Sequence, residues 1–296
     1  MSRNNDDRLG AAPDATPPPI QVEENTPATA NTNPPGQGSN GLNFVIPTEF
    51  VDLPSRGAFY AEGHPLHGAG TVEIKHMTAR EEEILTSRTL LKKGIALDRL
   101  IDSVLIDKRI SSSALLVGDK NAILVASRIL AYGREYETSV TCPSCLSKSQ
   151  YSFDLMDSKV SHPDDVESPL FEKTENGTFM FMLPKTQVKA EVRLLTGTDE
   201  AMLSRTLEKR KKMKNGTDSL LSEQMRTFIV SLNGVTDKKL VNDFINHMPA
   251  ADARYTRKVY ADIAPNLDLT QHFACLECDH ETEMEVPFTV DFFWPK

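Results

Sequence analysis

The chain has 296 residues, 39% of them hydrophobic, and a formal net charge of −9. That length suits one large or two small domains, and the acidic balance gives no overall pull toward nucleic acid. No apolar run approaches 18 residues and the opening MSRNNDDRLG has no apolar core, so neither a membrane span nor a signal peptide is expected.

Residues 1–43 carry seven prolines (13, 17, 18, 19, 27, 34 and 35) and almost no large apolar side chains. Such a stretch cannot bury enough surface to offset its chain entropy, and it is expected to be a disordered tail, either a solvated extension or a docking arm. Order is expected from Phe44-Val45-Ile46-Pro47, followed by a loop punctuated by Pro and Gly through Leu53-Pro54-Ser55-Arg56-Gly57 and Phe59-Tyr60. His64 and His67 have metal-like spacing but no further ligand nearby, and read as loop polar groups.

A strand is expected over Thr71–Lys75. Thr78 then caps a helix, with Glu81 three residues on completing a capping box. The run Glu81-Glu82-Glu83 reads as a solvated first helical turn, where the dipole favours negative charge, rather than as paired catalytic carboxylates. This helix runs to about Lys93 and stops at Gly94; further helices are expected over Ala96–Ile106 and from about Asp119 to Tyr132, ended by Gly133. Beyond a polar crossing from Asp157 to Glu167, strands are expected over Thr178–Leu183 and Val188–Leu195, and Thr196 repeats the capping role. Helices are expected over Asp199–Lys214, Leu220–Leu232, Asp237–His247 and Ala250–Ile263. The basic run from Lys209 to Lys214 suits a helix C-terminus better than a nucleic-acid patch. Phe288, Phe292, Phe293 and Trp294 either staple the C-terminal segment to the core or form a docking edge.

The four cysteines, Cys142, Cys145, Cys275 and Cys278, form two C-x-x-C units, each at the tip of an expected strand reversal. A two-residue spacer lets both sulfurs of a pair face one ion at about 2.3 Å, so a closed, structural four-cysteine Zn2+ site is predicted. The long separation of the pairs is tolerable, since closure entropy rises by only about 0.6 kcal/mol per doubling of loop length. The alternatives are unligated thiols and two redox motifs. A thioredoxin-type motif opens a helix after a strand, whereas both flanks here read as strands. Cysteines in metal-like pairs without an export signal point to a reducing cytoplasm. His272 and His280 flank the second pair and could replace a sulfur, but four cysteines already complete a shell and leave no open position for a reactive water.

The halves echo one another. Glu73–Thr78 matches Glu191–Thr196 in pattern, Ser87–Leu90 matches Ser204–Leu207, and Asp119 and Asp252 stand at the same distance before Cys142 and Cys275. The expected architecture is α+β: two tandem related strand-plus-helices units, 44–156 and 157–296, each ending in a CxxC β-hairpin knuckle. Together they would form a split four-cysteine zinc ribbon. No Gly-rich phosphate loop, G-x-S-x-G elbow or H-E-x-x-H stretch occurs, so no catalytic residues and no small-molecule substrate are expected.

Leu53–Gly57 with Tyr60, Met77–Leu85, Gly94–Asp98, Gly118-Asp119, Arg128, Tyr132-Gly133 and Thr141–Cys145 together resemble the baseplate hub assembly proteins of T4-like contractile-tailed phages. The likeness is good over residues 44 to 155 and looser beyond. It implies a phage protein made in the host cytoplasm, with phage baseplate hub proteins as partners. It would act as a non-enzymatic, chaperone-like assembly factor or remain in the virion baseplate as a minor component. The competing reading is a zinc-ribbon nucleic-acid-binding phage regulatory protein.

Overall fold

The computed structural model describes residues 45–167, 169–212, 220–286 and 290–293. The tail expected at 1–43 lies outside these residues, as do Met213, Lys214, Phe288 and Trp294. Strands β1 (Thr48–Asp52) and β2 (Thr71–Lys75) pair antiparallel, placing Val51 opposite Val72 on the buried face. Pro47 and Pro54 flank β1 and hide it from a reading of the sequence as a loop. The strand is real because its backbone is satisfied across the hairpin.

Helices α1 (Ala79–Thr86) and α2 (Arg88–Lys92) replace the single helix expected before Gly94, with the break at the extended Ser87. Then come α3 (Ala96–Val104) and the long α4 (Val117–Tyr132), which buries Ala122, Ile123, Leu124 and Val125. Gly133 ends α4 with φ 84°, a left-handed conformation that suits glycine. Hairpin β3 (Glu135–Thr141) and β4 (Lys148–Asp154) carries the first cysteine pair at its tip.

The stretch expected as a polar crossing contains β5 (Lys159–Ser161), which pairs with β10 (Asn266–Asp268) far along the chain. A four-stranded antiparallel sheet follows, in the order β6 (Glu172–Lys173), β7 (Phe179–Met182), β8 (Lys189–Val192) and β9 (Ile229–Leu232). Between β8 and β9 lie α5 (Gly197–Lys212) and α6 (Leu220–Phe228). The helix expected over Leu220–Leu232 therefore ends early. Ile229-Val230-Ser231-Leu232 is a short apolar run with β-branched residues, and the open edge of β8 captures it. Helices α7 (Lys238–His247) and α8 (Ala250–Ile263) then lead through β10 to the hairpin β11 (Thr270–Ala274) and β12 (Glu281–Glu285), with the second cysteine pair at its tip.

The described residues from Ile46 onward pack as one compact unit of mixed α and β structure with small antiparallel sheets. The aromatic C-terminal segment joins that core. Phe292 and Phe293 are buried, Phe292 lies edge-on to Tyr136, and its carbonyl accepts a 2.8 Å hydrogen bond from Arg128. Burial of each ring is worth roughly 1.5–3 kcal/mol, which explains how a short terminal segment is held.

Matching contacts recur in the two halves. Thr78 donates through its amide and hydroxyl to Glu81, which also pairs with Lys75 at 2.7 Å. Thr196 donates in the same way to Asp199, which pairs with Arg193 at 2.7 Å. Asp119 accepts from the amide and hydroxyl of Ser55, just after Leu53-Pro54. Asp252 accepts from the amides of Lys185 and Thr186 and the Thr186 hydroxyl, just after Leu183-Pro184. Each acid lies near the start of the helix that leads into a cysteine hairpin. Glu81 is thus not the solvated acid expected from the sequence. It is fully buried, its charge matched by Lys75 and by hydroxyls.

Candidate metal centre

Each C-x-x-C sits where a two-stranded hairpin reverses, and the two reversals are built alike. The Cys142 amide donates to Ser147 O and the Leu146 amide to Cys142 O. Correspondingly, the Cys275 amide donates to His280 O and the Asp279 amide to Cys275 O. Leu146 (φ 61°) and Asp279 (φ 51°), each directly after the second cysteine of its pair, adopt the left-handed conformation. That turn folds the chain back under the two thiols and aims both sulfurs to one side. It is unfavourable for a leucine, so the surrounding hydrogen bonds must hold it in place.

The hairpins also grip each other through protein groups. The Gln271 side chain donates to Asp154 O at 2.6 Å and accepts from the Asp154 amide at 3.2 Å. Tyr151 packs edge-on against Phe273 and donates to His272 O. These contacts bring together sulfurs that are far apart in sequence. Cys142 Sγ lies 3.8 Å from Cys278 Sγ, and Cys145 Sγ lies 3.7 Å from Cys275 Sγ. All four sulfurs lie within 4.8 Å of one another.

A tetrahedron of sulfurs about 2.3 Å from a central ion has edges of about 3.8 Å. The two spacings between the hairpins just given match that figure and are far too long for disulfide bonds, and all four cysteines are free thiols. The set can hold a metal ion, with Cys142 and Cys275 buried on the inner side and Cys145 and Cys278 exposed. The electrostatics favour partial ionisation. The Glu277 amide leads the groups that lower Cys275 to about 6, and the Ser147 hydroxyl, 2.9 Å away, leads those that lower Cys145. The His280 amide acts to lower Cys278, but hydrogen bonding with Cys145 and the other sulfurs pushes it up to about 12. Thiols so close cannot all ionise without a cation among them.

The rings of the histidines weighed from sequence are not among the converging ligand atoms. His272 and His280 are not among the residues that converge, and His64 stacks on Tyr60 while His67 Nδ1 contacts Tyr60 O. A buried Ser, Tyr and Asp grouping, not foreseen from the sequence, occurs around Asp119. It is arranged for structure and not for nucleophilic catalysis. Ser55 and Tyr60 both donate to Asp119 at 2.6 Å, so the Ser55 hydroxyl proton is directed at the acid and not at a histidine base. Ser55 and Asp119 are fully buried, and burial pushes the Asp119 carboxyl above its ordinary range despite these donors.

Among the described residues no helix is long and apolar enough to cross a membrane. No curated protein and no solved structure matches the chain. The model of the family described as T4 bacteriophage base plate protein matches residues 47–294, most of the chain and both cysteine hairpins. The chain therefore belongs to the T4 bacteriophage base plate protein family.

Proposed function

We propose that this protein is a non-enzymatic part of baseplate construction, a chaperone-like assembly factor or minor component of the central hub. In this reading a structural zinc ion on Cys142, Cys145, Cys275 and Cys278 clasps two tandem related units, 44–156 and 157–296, as a split zinc ribbon. The protein is made in the host cytoplasm and meets its partners, hub proteins, during tail assembly.

The observation that carries the reading is the four-sulfur cluster drawn equally from two hairpins of the same build, within a chain of baseplate family. Four thiolates complete a zinc shell and leave no position for a reactive water, which is the mark of a structural site. The recurrence of the Thr-capped, acid-anchored pattern in both halves supports their common origin. Purification from infected cells, with metal analysis and mass spectrometry, tests this. One zinc per chain and co-purifying hub proteins are expected. Complete hubs in particles assembled without this protein would overturn the assembly role.

A further inference from the structure

A cleft of about 430 Å3 opens between α1, α3 and the loop that follows α3, lined by Lys75, Arg80, Ile84, Arg99, Asp102, Ser103 and Lys108. Four cations thus face one space in a chain whose net charge is −9. Two of them have fixed duties. Lys75 is paired with the buried Glu81, and Lys108 Nζ caps α3 by donating to the carbonyls of Asp102, Ser103 and Leu105 at 2.9, 3.3 and 2.6 Å. Asp102 is engaged as well, accepting from the Ser112 amide at 2.8 Å.

Arg80 and Arg99 are different. Both are exposed, and among the described residues neither guanidinium has an ion-pair or hydrogen-bond partner. Burial first and then the neighbouring Lys75 ammonium hold Lys108 below its ordinary pKa, as expected where positive charges crowd without enough acid between them. In the second half the counterpart of Lys75, Arg193, is likewise engaged, bidentate on Asp199.

We infer that this cleft is a docking site for a carboxylate-rich segment of a protein partner, received by the paired guanidinium forks of Arg80 and Arg99. A planar guanidinium matches a carboxylate with two parallel hydrogen bonds. The cleft is short, Asp102 is the one acid in its lining, and the chain as a whole is acidic. A few carboxylates fit that setting, whereas a long polyanion such as nucleic acid would be repelled beyond the cleft. The inference rests on reading the chain as a binding component of the baseplate, and it is independent of the metal.

The test uses the full chain and fluorescent hexaglutamate, followed by anisotropy at low ionic strength, with a single-stranded oligonucleotide of matched length as comparison. Saturable hexaglutamate binding is expected, weakened by added salt and reduced roughly tenfold or more in an Arg80→Ala/Arg99→Ala double variant. Arg80→Lys/Arg99→Lys should retain part of it, because charge persists without the fork. The far-ultraviolet circular dichroism of both variants should match the parent, since the two side chains are exposed. Absence of binding, equal binding by the alanine variant, or tighter binding of the oligonucleotide would overturn the inference. Hub assembly is not the readout, so a negative result here leaves the assembly role standing. Complete hubs without the protein would remove that role and leave the peptide result intact.

Discussion

Asp119 and Asp252 show how two similar carboxylates anchor two turns with different electrostatics. Asp252 accepts from two backbone amides and one hydroxyl, and although burial opposes it, these donors hold its carboxyl below the ordinary range. Asp119 receives one amide and two hydroxyls, and there burial prevails and raises the carboxyl. An amide can only donate, so replacing Asp252 with Ala leaves two N–H groups of the partly exposed Lys185-Thr186 turn without their acceptor. Asp252→Ala is expected to lower stability by about 1–3 kcal/mol, read from the shift of the urea midpoint at unchanged slope. Close backbone approach is equally unforgiving. A Cβ on Gly118 would stand 1.9 Å from Pro265 O, so α4 can lie against the strand segment after α8 only with glycine at that position.

At the scale of elements, the cap on α1 couples folding to acidity. Burial works to raise the Glu81 carboxyl, but hydrogen bonds from Lys75, Ser103 and Thr78 override it and bring it down to about 2. A folded pKa below the unfolded value, about 4.3, contributes stability that is fully present above that value and is lost as pH falls toward 2. Unfolding measured across that window should therefore show a steeper acid loss in the parent than in Glu81→Gln. Equal slopes would mean that the cap carries no net charge coupling.

The sequence made this cap legible, because Thr78 and Glu81 have the capping-box spacing and Lys75 closes the strand before them. The C-x-x-C spacing likewise marked the four cysteines, and the alternation of apolar residues marked both hairpins. Other features rest on tertiary context. Ile229–Leu232 is apolar at any period, and only the free edge of β8 makes it a strand. The short β5 gains its identity from β10, more than a hundred residues away. The burial of Glu81 could not be seen in a run of three glutamates, because it depends on where Lys75 and Ser103 arrive. The Leu53-Pro54 and Leu183-Pro184 turns matched in letters, but only their shared acidic anchors reveal them as counterparts.

For the whole molecule, the cysteine cluster is the point at which distant parts of the chain are joined. With zinc bound, as proposed, chelation should lower the melting temperature and release one equivalent of metal. Cys142→Ser should lose the metal without chelator, a structural zinc contributing roughly 10–16 kcal/mol in small sites. A chain whose melting temperature is indifferent to chelator would argue for unligated thiols. The Gln271 and Tyr151 contacts limit how far the hairpins separate when the ion leaves, so a loosened state is expected instead of complete unfolding.

Because each inner-to-outer sulfur contact crosses from one hairpin to the other, the ligand set is divided between early and late portions of the polypeptide. A nascent chain that has emerged only through Cys145 owns half a coordination sphere and has nothing with which to complete it. If the cluster holds an ion as proposed, its capture must wait until Cys278 has been synthesised and both hairpins have folded. In that sense the ion would serve as a proofreading signal, withheld from truncated or misfolded copies before they could enter a growing particle.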